Sequence, residues 1–316
     1  FSNDYEQITP LVSSADLALG DFEGTINPNM PLAGYPIFNA PEAVVSSIKN
    51  AGYDAIDLAH NHILDTGISG LVYTANAFQK AGVDTFGVNV PDDKILVKKV
   101  NGIRIAILGF SYGFNGIEQT ISQSDYDKYL NDLTMTKVEK KIKAAKKIAD
   151  LVVVMPQSGV EYNLEATPEQ VDTYHKMVDF GADIIFGGHP HVVEPTETID
   201  KDGEKKFIIY SMGNLLSNQR YETLENYWTE RGVIMEVQVK KENNKTKLTA
   251  VKGHPTWVSR EPINRTFLGY PAYDYQVYLA EDYIKGGKYA DKVSPEKQAR
   301  IETAYHEMMQ HLNIKF

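Results

Sequence analysis

The sequence predicts an α/β protein in which buried strands alternate with amphipathic helices. The apolar runs 53–58 and 151–155 are typical of buried strands, and a helical spacing of apolar residues follows each of them, at 68–81 and 168–180. Polar side chains stand directly after these strands, which is where α/β proteins place their chemistry. The pattern therefore predicts a functional site at the carboxyl ends of the strands.

Length and composition limit the function classes. The 316 residues carry a formal net charge of −10, which argues against nonspecific binding to nucleic acid or to an anionic membrane surface. The sequence has no cysteine, so disulfides, zinc–thiolate sites and cysteine nucleophiles are excluded. No apolar run approaches the roughly 18 residues of a membrane span. A metal site could still bind a phosphate group locally.

The predicted elements follow the chain in a regular order. Caps, stop signals and apolar spacing predict helices at 42–50, 68–81, 134–149, 168–180 and 294–312. Short apolar or alternating runs predict strands at 15–19, 53–58, 95–97, 103–108, 151–155, 183–186, 207–210, 232–239 and 247–252. The dipeptide Asn101-Gly102 predicts a hairpin between two of these strands. The Tyr-rich region 264–292 is expected to be irregular and to wrap back on the domain.

The densest polar motif follows the strand at 53–58. An extended backbone through residues 60–62 would place His60 and His62 on one side of the chain and Asn61 on the other. If a helical turn follows, Asp65 lies three residues after His62 on the same face, where its carboxylate can hold the Nδ1 proton. The competing interpretation is a polar cap at the start of the next helix.

Two carboxylates lie in a glycine-bounded loop after the first predicted strand. Asp21 and Glu23 flank Phe22 between Gly20 and Gly24, and the pair could share a cation. The alternative is a turn with solvated acids.

A histidine pair follows the predicted strand at 183–186. In Gly188-His189-Pro190-His191, the proline favours an extended conformation of His189, so that the two imidazoles can face one point. Neutral imidazoles beside carboxylates form a mixed nitrogen and oxygen donor set, which suits Zn, Mn or Fe and not Ca. The alternative is a structural histidine pair in a tight turn.

Arginines offer a second kind of ligand site. Arg220 or Arg231 could hold an anionic group of a substrate in its guanidinium fork. Either arginine could instead pair with one of the many acids.

Five motifs in this order together resemble the poly-γ-glutamate capsule synthesis protein family, CapA or PgsA. They are Gly20-Asp21-Phe22-Glu23, His60-Asn61-His62 with Asp65 and Gly67, Gln157-x-Gly159-x-Glu161-Tyr162, Gly188-His189-Pro190-His191 and Tyr210-Ser211-Met212-Gly213-Asn214. The resemblance covers roughly residues 15–260. The family is similar to calcineurin-like metallophosphoesterases, and this implies a four-layer α/β/β/α sandwich with a two-metal site at the strand ends.

The resemblance also implies roles for individual residues. Asn61 matches a metal-ligating asparagine, and His62 with Asp65 matches a catalytic dyad. His189 and His191 match two histidine ligands of the metal. The implied cofactor is one or two divalent ions of Mn, Fe or Zn.

Three further implied ligands are less closely matched to the family. Asp21 or Glu23 would be the bridging carboxylate, and Gln157 stands where many members of the family carry a histidine. The implied substrate-binding residues are His60, Glu161, Asn214 and Arg220.

The resemblance implies a metallophosphoesterase-like capsule synthesis domain at 1–260, with a carboxyl-terminal wrap and helix at 261–316 packed on the same domain. The family's first strand usually ends in Gly-Asp-x-Met, and nothing before Asp21 matches it. We therefore expect that strand to be missing with the N-terminus. We also expect a bacterial protein at the extracellular face of the cell membrane, anchored through the missing segment.

Three functions fit this resemblance. The first is capsule (poly-γ-glutamate) biosynthesis or export with metal-dependent hydrolysis at the site. The second is a noncatalytic component of the synthesis complex that binds the anionic polymer. The third is a general metal-dependent phosphoesterase. The expected partners are an anionic polymer or phosphoester substrate and the proteins of a membrane synthesis or export complex. Nucleic acid is not expected to be a partner.

Overall fold

The computed structural model of the chain describes residues 3–267 and 269–316. The first elements are α1 (Thr9–Val12), β1 (Leu19–Asp21), α2 (Ala43–Asn50), β2 (Ala55–Asp57), α3 (Gly67–Ala81), β3 (Asp84–Phe86), β4 (Leu96–Val100) and β5 (Ile103–Ser111). The middle elements are α4 (Gln123–Tyr129), α5 (Met135–Ile148), β6 (Leu151–Gln157), α6 (Pro168–Phe180), β7 (Ile184–Phe186), β8 (Thr196–Lys201) and β9 (Glu204–Ile209). The last elements are α7 (Tyr221–Leu224), β10 (Arg231–Glu242), β11 (Lys245–Phe267), β12 (Tyr270–Leu279), α8 (Ala280–Tyr283) and α9 (Pro295–Leu312).

The described strands form three sheets. The strands β1, β2 and β3 pair in parallel, and β10, β11 and β12 pair antiparallel. The largest sheet has six strands in the order β4-β5-β6-β7-β9-β8, with a parallel centre and an antiparallel strand at each edge. Because parallel strands run in the same direction, the carboxyl ends of β5, β6, β7 and β9 lie along one edge of this sheet.

Side chains of the six-stranded sheet alternate between two cores. Ile105 and Val153 face a core shared with the other sheets, whereas Ala106 and Val154 face the helices α5 and α6. Every residue of β6 is buried, since the sheet is covered on both faces. This explains why β6 is apolar along almost its whole length and does not alternate with polar residues.

The two smaller sheets lie on the other side of the shared core. Phe78 of α3, Ile56 of β2 and Val277 of β12 pack in one core, while Tyr278 of β12 faces the shared core. The helices α2 and α3 therefore cover a β layer that β1–β3 and β10–β12 form together. The six-stranded sheet is the second β layer, and α5 and α6 cover its far face. The predicted four-layer α/β/β/α sandwich is confirmed.

Local capping signals correctly predicted the principal helices. Thr167 accepts a hydrogen bond from the backbone of Gln170 in a capping box at the start of α6. Ser294 caps α9 in the same way, and Gly82 ends α3 with a left-handed φ of 83°.

The prediction of an irregular region at 264–292 is wrong for its first part. The strand β12 covers 270–279 and pairs with β11, with Tyr278 opposite Trp257. β11 itself continues to Phe267, well beyond the predicted end at 252. Pairing with the long β11 supplies the backbone hydrogen bonds that order this segment.

The carboxyl-terminal helix is tied to the sheets by a buried ion pair. Arg300 of α9 donates from Nε to Glu230 Oε1 at 2.7 Å, and Trp257 Nε1 donates to the same oxygen at 2.8 Å. Glu230 is completely buried, and Met308 of α9 packs into the shared core. The helix thus contributes both apolar surface and a cation to this core. Within residues 3–267 and 269–316, every helix is too short or too polar to cross a lipid bilayer.

Replacing Arg300 with methionine should lower the free energy of unfolding by about 3 kcal/mol, because it leaves the buried Glu230 carboxylate without its main cation. Urea denaturation of the wild type and of Arg300→Met measures this loss. Arg104→Met is the matched control, since the Arg104 side chain is 52% exposed in its pair with Asp150. Arg104→Met should lower the free energy of unfolding by less than about 1 kcal/mol. Equal losses in the two variants would contradict a special role for the buried pair.

Candidate functional site

The candidate site lies where strands of the two β layers end. β1 ends at Asp21 and β2 at Asp57, which are register partners, and β6 of the other layer ends at Gln157. These three residues line a small cavity together with Gly187 and Gly188, which follow β7. Carboxylates from one layer thus meet an amide from the other, as the strand-end pattern predicted.

Asp21 and Asp57 form a close acidic pair. Loss of water around the carboxyl raises the pKa of Asp57, and the same effect, with repulsion from Asp57 and Glu23, raises the pKa of Asp21. Asp21 keeps an exposed side, whereas Asp57 is buried and accepts a hydrogen bond from Ala59 N at 2.9 Å. A bound cation would stabilise two such carboxylates together. Asp57 is absent from the predicted site, although an acid at the end of a buried strand was the signal that could have found it.

His62 and Asp65 are in direct contact. The Nδ1 atom of His62 lies 2.8 Å from Asp65 Oδ2, which also accepts a hydrogen bond from Phe38 N at 2.7 Å. The ring of Phe38 packs edge-on against the imidazole at 4.5 Å between centroids. The other nitrogen, Nε2, lies 4.0 Å from Glu23 Oε1. The imidazole is therefore fixed through one nitrogen, while the other faces an acid of the site.

The backbone around His62 is a turn, so the prediction of an extended segment at 60–62 is wrong. Ile63 N donates to His60 O at 3.2 Å, and Asp65 N donates to His62 O at 3.1 Å. This turn directs His60 into the interior, where both of its ring nitrogens lack a hydrogen-bond partner. Burial, with the nearby His62, lowers the pKa of His60 to about 3. His60 is neutral and closed off from solvent, and the structure does not bring it to the surface of the site.

Gln157 joins loops from both β layers. Its Oε1 accepts a hydrogen bond from Asn61 N at 2.6 Å, and its Nε2 donates to Glu23 Oε2 at 3.2 Å. Ser111 Oγ lies 3.4 Å from Oε1. Both ends of the carboxamide therefore have protein partners.

His189 and His191 both have left-handed backbones, with φ of 97° and 59°, so the predicted extended conformation of His189 is wrong. Tertiary hydrogen bonds hold this turn, since Tyr162 N donates to Pro190 O at 2.8 Å and Ser158 N donates to Gly188 O at 3.1 Å. Positive φ at two residues that are not glycine is strain of the kind found at functional sites.

The two imidazoles of this turn have different partners. His189 Nδ1 is buried without a partner, and burial, with the nearby His191 and His62, lowers the pKa of His189 to about 4. His191 Nδ1 lies 3.0 Å from Asn214 Oδ1, and its Nε2 lies 3.6 Å from Glu23 Oε1. Asn214 therefore orients His191, and the rings lie 6.1 Å apart between centroids.

The remaining predicted substrate-binding residues lie in two different settings. Glu161 is exposed beside the site. Arg220 is buried, and its guanidinium donates to Glu222 Oε2 at 2.6 Å and to Val258 O at 3.2 Å. Internal hydrogen bonds thus already occupy the Arg220 side chain.

The loop after β5 supplies two contacts that the sequence did not reveal. The ring of Tyr112 packs on His189 at 4.4 Å between centroids. Asn115 Oδ1 accepts a hydrogen bond from Asn61 Nδ2 at 3.1 Å. No local motif marks this loop, since its importance depends on where the sheet delivers it.

The donor types of the site fit a divalent metal ion. Asn61 Oδ1 and His189 Nδ1 are buried without hydrogen-bond partners, and the carboxylates of Asp21 and Asp57 line the cavity. Carboxylate and amide oxygens with neutral imidazole suit Mn, Fe or Zn. Among the residues that the structure describes, no group of three or more His, Asp and Glu side chains is arranged to hold an ion. The chemistry of the donors fits, but they are not gathered into a closed coordination shell.

Fold and site together define a four-layer α/β/β/α protein with a polar site at the strand ends. The family model described as bacterial capsule synthesis protein PGA_cap matches residues 1–219, and the chain belongs to this family. The resemblance predicted from the five motifs is confirmed.

Two curated relatives agree with this assignment. The capsule biosynthesis protein CapA of Bacillus anthracis is 35% identical over 224 residues, which cover 68% of this chain and 54% of that protein. The PGA biosynthesis protein CapA of Bacillus subtilis (strain 168) is 31% identical over 228 residues, which cover 68% of this chain and 57% of that protein. The chain spans about half the length of these relatives.

A solved structure, the calcineurin-like phosphoesterase YfkN from Bacillus subtilis, superposes with a TM-score of 0.45 at 15% identity. The superposition covers 84% of this chain and 72% of that chain.

A buried carboxyl group, that of Glu194, follows the histidine turn in the chain. Glu194 Oε2 accepts a hydrogen bond from Gln170 Nε2 at 2.7 Å, while its Oε1 has no partner. Gln170 in turn lies close to Gly159, where an added Cβ would approach Gln170 Oε1 to 2.9 Å and Pro190 Cγ to 3.0 Å. Burial raises the pKa of Glu194 from 4.5 to about 7. Glu194 therefore favours the protonated state inside the folded protein.

Glu194→Gln should raise the free energy of unfolding at pH 8 by roughly 3 kcal/mol and leave it unchanged at pH 4. The unfolded chain releases this proton above about pH 4.5 and the folded protein only above about pH 7, so folding loses stability between these values and the loss persists above them. Urea denaturation at several pH values measures the gain. Glu139→Gln, at an exposed ion pair with Lys143, is the control and should change stability by less than about 0.5 kcal/mol. An equal gain for Glu194→Gln at pH 4 and pH 8 would contradict the buried proton.

Proposed function

We propose that the chain is the metallophosphoesterase-like part of a capsule (poly-γ-glutamate) biosynthesis or export protein, and that it uses one or two divalent ions to hydrolyse a phosphoester. Family membership and the names of the two Bacillus relatives support the capsule role. The observation that supports the metal role is the strand-end cavity lined by Asp21 and Asp57, with the unpartnered atoms Asn61 Oδ1 and His189 Nδ1 on the loops that follow β2 and β7.

The proposed metal ligands have side-chain atoms that lack a hydrogen-bond partner or lie beside another acid. They are Asp21, Asp57, Asn61, His189 and His191, with Glu23 close to His191. When bound, the ions would supply an activated water and a polarised phosphoryl group. His62 would give a proton to the leaving group from Nε2 when both ring nitrogens are protonated, since Asp65 accepts a hydrogen bond from Nδ1 and stabilises this charged form of the ring. Phe38 restricts rotation of the His62 ring and covers one side of it.

We further propose that the protein works at the extracellular face of a bacterial membrane with the proteins of a synthesis or export assembly. The biosynthetic role of the family supports this assignment.

A noncatalytic role in binding the anionic polymer is the second candidate function. One observation favours it. Gln157, at a position where the resemblance implies a histidine ligand, has both ends of its amide engaged by Asn61 N and Glu23. The guanidinium of Arg220 is committed to internal partners, and the exposed Glu161 beside the site would repel a polyanion. Polymer binding at this site would therefore depend on a bound metal ion for attraction.

Protein purified without chelator should contain about one or two equivalents of Mn, Fe or Zn by elemental analysis. Asn61→Ala and His189→Ala should each lose most of this metal, because each removes a buried donor atom that has no partner inside the protein. His306→Ala is the control, since His306 is an exposed residue of α9, and it should retain the metal. Equal metal content in all four proteins would rule out the proposed ligands.

His62→Ala should reduce hydrolysis of a reactive aryl phosphoester by about a hundredfold or more while leaving the metal content unchanged. Activity should fall while the metal content stays the same, because His62 is assigned to proton transfer and not to metal binding. His306→Ala again serves as the control. If metal-loaded wild type hydrolyses no compound in a broad phosphoester screen, the catalytic proposal fails.

Binding of poly-γ-glutamate separates the two candidate functions. A noncatalytic polymer-binding site predicts that the metal-loaded protein binds the polymer, that chelation weakens binding at least about tenfold, and that His62→Ala has no effect. Sedimentation or fluorescence anisotropy with labelled polymer measures this. Binding that is insensitive to chelation would exclude a metal-bridged polymer site.

A further inference from the structure

The loop after β5 is anchored in the residues that directly precede Asn115. Ser111 Oγ, at the end of β5, donates to Gly113 O at 2.8 Å. Phe114 is buried and packs edge-on against Tyr126 at 6.0 Å between ring centroids. Asn115 itself is exposed and has a left-handed φ of 56°, which asparagine adopts more readily than most residues. The loop therefore presents the Asn115 side chain from a fixed base.

The carboxamide of Asn115 reaches two residues of the candidate site at once. Its Oδ1 accepts a hydrogen bond from Asn61 Nδ2 at 3.1 Å. Its Nδ2 lies 3.4 Å from His62 Nδ1 and 3.5 Å from His62 Nε2. Asn115 thus links the proposed metal ligand Asn61 to the proposed proton donor His62.

The first contact determines which end of the Asn61 amide is free. Because Asn61 Nδ2 donates its hydrogen bond to Asn115, Asn61 Oδ1 is the end of the amide left buried without a partner. An amide oxygen can bind a metal ion, whereas an amide nitrogen carries only donor hydrogens. Rotation of this amide by half a turn would therefore remove a metal-binding atom from the site.

The second contact adds to the restraints on the His62 ring. Asp65 holds the ring at Nδ1, Phe38 packs against it, and Asn115 approaches its nitrogens from a third element. The distances of 3.4 and 3.5 Å are long for hydrogen bonds, so this contact is the weaker of the two.

We propose that Asn115 is a positioning residue that fixes the orientation of the Asn61 carboxamide and restrains the His62 imidazole. The metal-binding consequence rests on the proposed function above, whereas the contacts themselves do not. Asn115 acts through Asn61 and His62 and needs no contact with the reacting atoms.

Nuclear magnetic resonance of the metal-free protein tests the contacts directly. In Asn115→Ala, the side-chain amide signals of Asn61 should shift and exchange faster with water, and the ring nitrogen signals of His62 should shift. Asn115→Asp keeps an acceptor for Asn61 but loses the amide donor, so it should restore the Asn61 signals and not those of His62. Gln119→Ala, an exposed substitution in the same segment, is the control and should leave both sets unchanged.

Titration with Mn²⁺ tests the consequence for the metal. Asn115→Ala should raise the Kd for Mn²⁺ by about tenfold, which is the effect typical of residues that orient metal ligands. Asn115→Asp should bind Mn²⁺ at least as tightly as the wild type. Gln119→Ala should match the wild type.

Each outcome decides the proposal. Unchanged Asn61 and His62 signals in Asn115→Ala overturn it, and so do shifted signals with an unchanged Kd. If the wild type binds no Mn²⁺, the proposed function fails, and the metal-free spectra alone then decide whether Asn115 positions these two side chains.

Discussion

The carboxamide of Gln157 links the two β layers at the edge where the candidate site forms. Gln157 ends β6 of the six-stranded sheet, whereas its partners Asn61 and Glu23 follow strands of the opposite layer. An amide accepts and donates at once, so one neutral side chain can hold both loops. Together with the hydrogen bond between Asn61 and Asn115, this link restrains the separation between the acids on one layer and the histidine turn on the other. The buried, well-satisfied amide therefore helps to set the geometry of the site.

Contacts that depend on nearby residues could be predicted from the sequence, and those that depend on sheet assembly could not. The contact between His62 and Asp65 follows from a spacing of three residues in a turn. The position of Asp57 at a strand end is visible in the sequence, but its place beside Asp21 comes from the pairing of β1 and β2. Asn115 reaches the site from a loop whose direction β5 determines, and no periodicity in the sequence encodes that approach.

The errors in the sequence-based predictions have the same physical origin. His189 was expected to be extended because Pro190 follows it, but hydrogen bonds to the backbone of this turn from Ser158 and Tyr162 impose a left-handed conformation. A local steric preference of this kind is worth less than several tertiary hydrogen bonds. The strand β12 was missed for a similar reason, since its order comes from pairing with β11. Helices with strong caps, which depend on adjacent residues alone, were predicted closely.

The position of α9 in the shared core has a consequence for how the protein forms during synthesis. The candidate site residues lie between 21 and 214, and a ribosome makes them before β10–β12 and α9 exist. Yet Val277 of β12 packs with Ile56 of β2, and Met308 of α9 packs in the core that Ile105 and Val153 face. The nascent chain therefore carries the chemical groups of the site well before the layer that supports them is complete. Assembly of the site therefore follows the synthesis of β10–β12 and α9, and until then the exposed apolar strands are the part of the chain that a chaperone would have to protect.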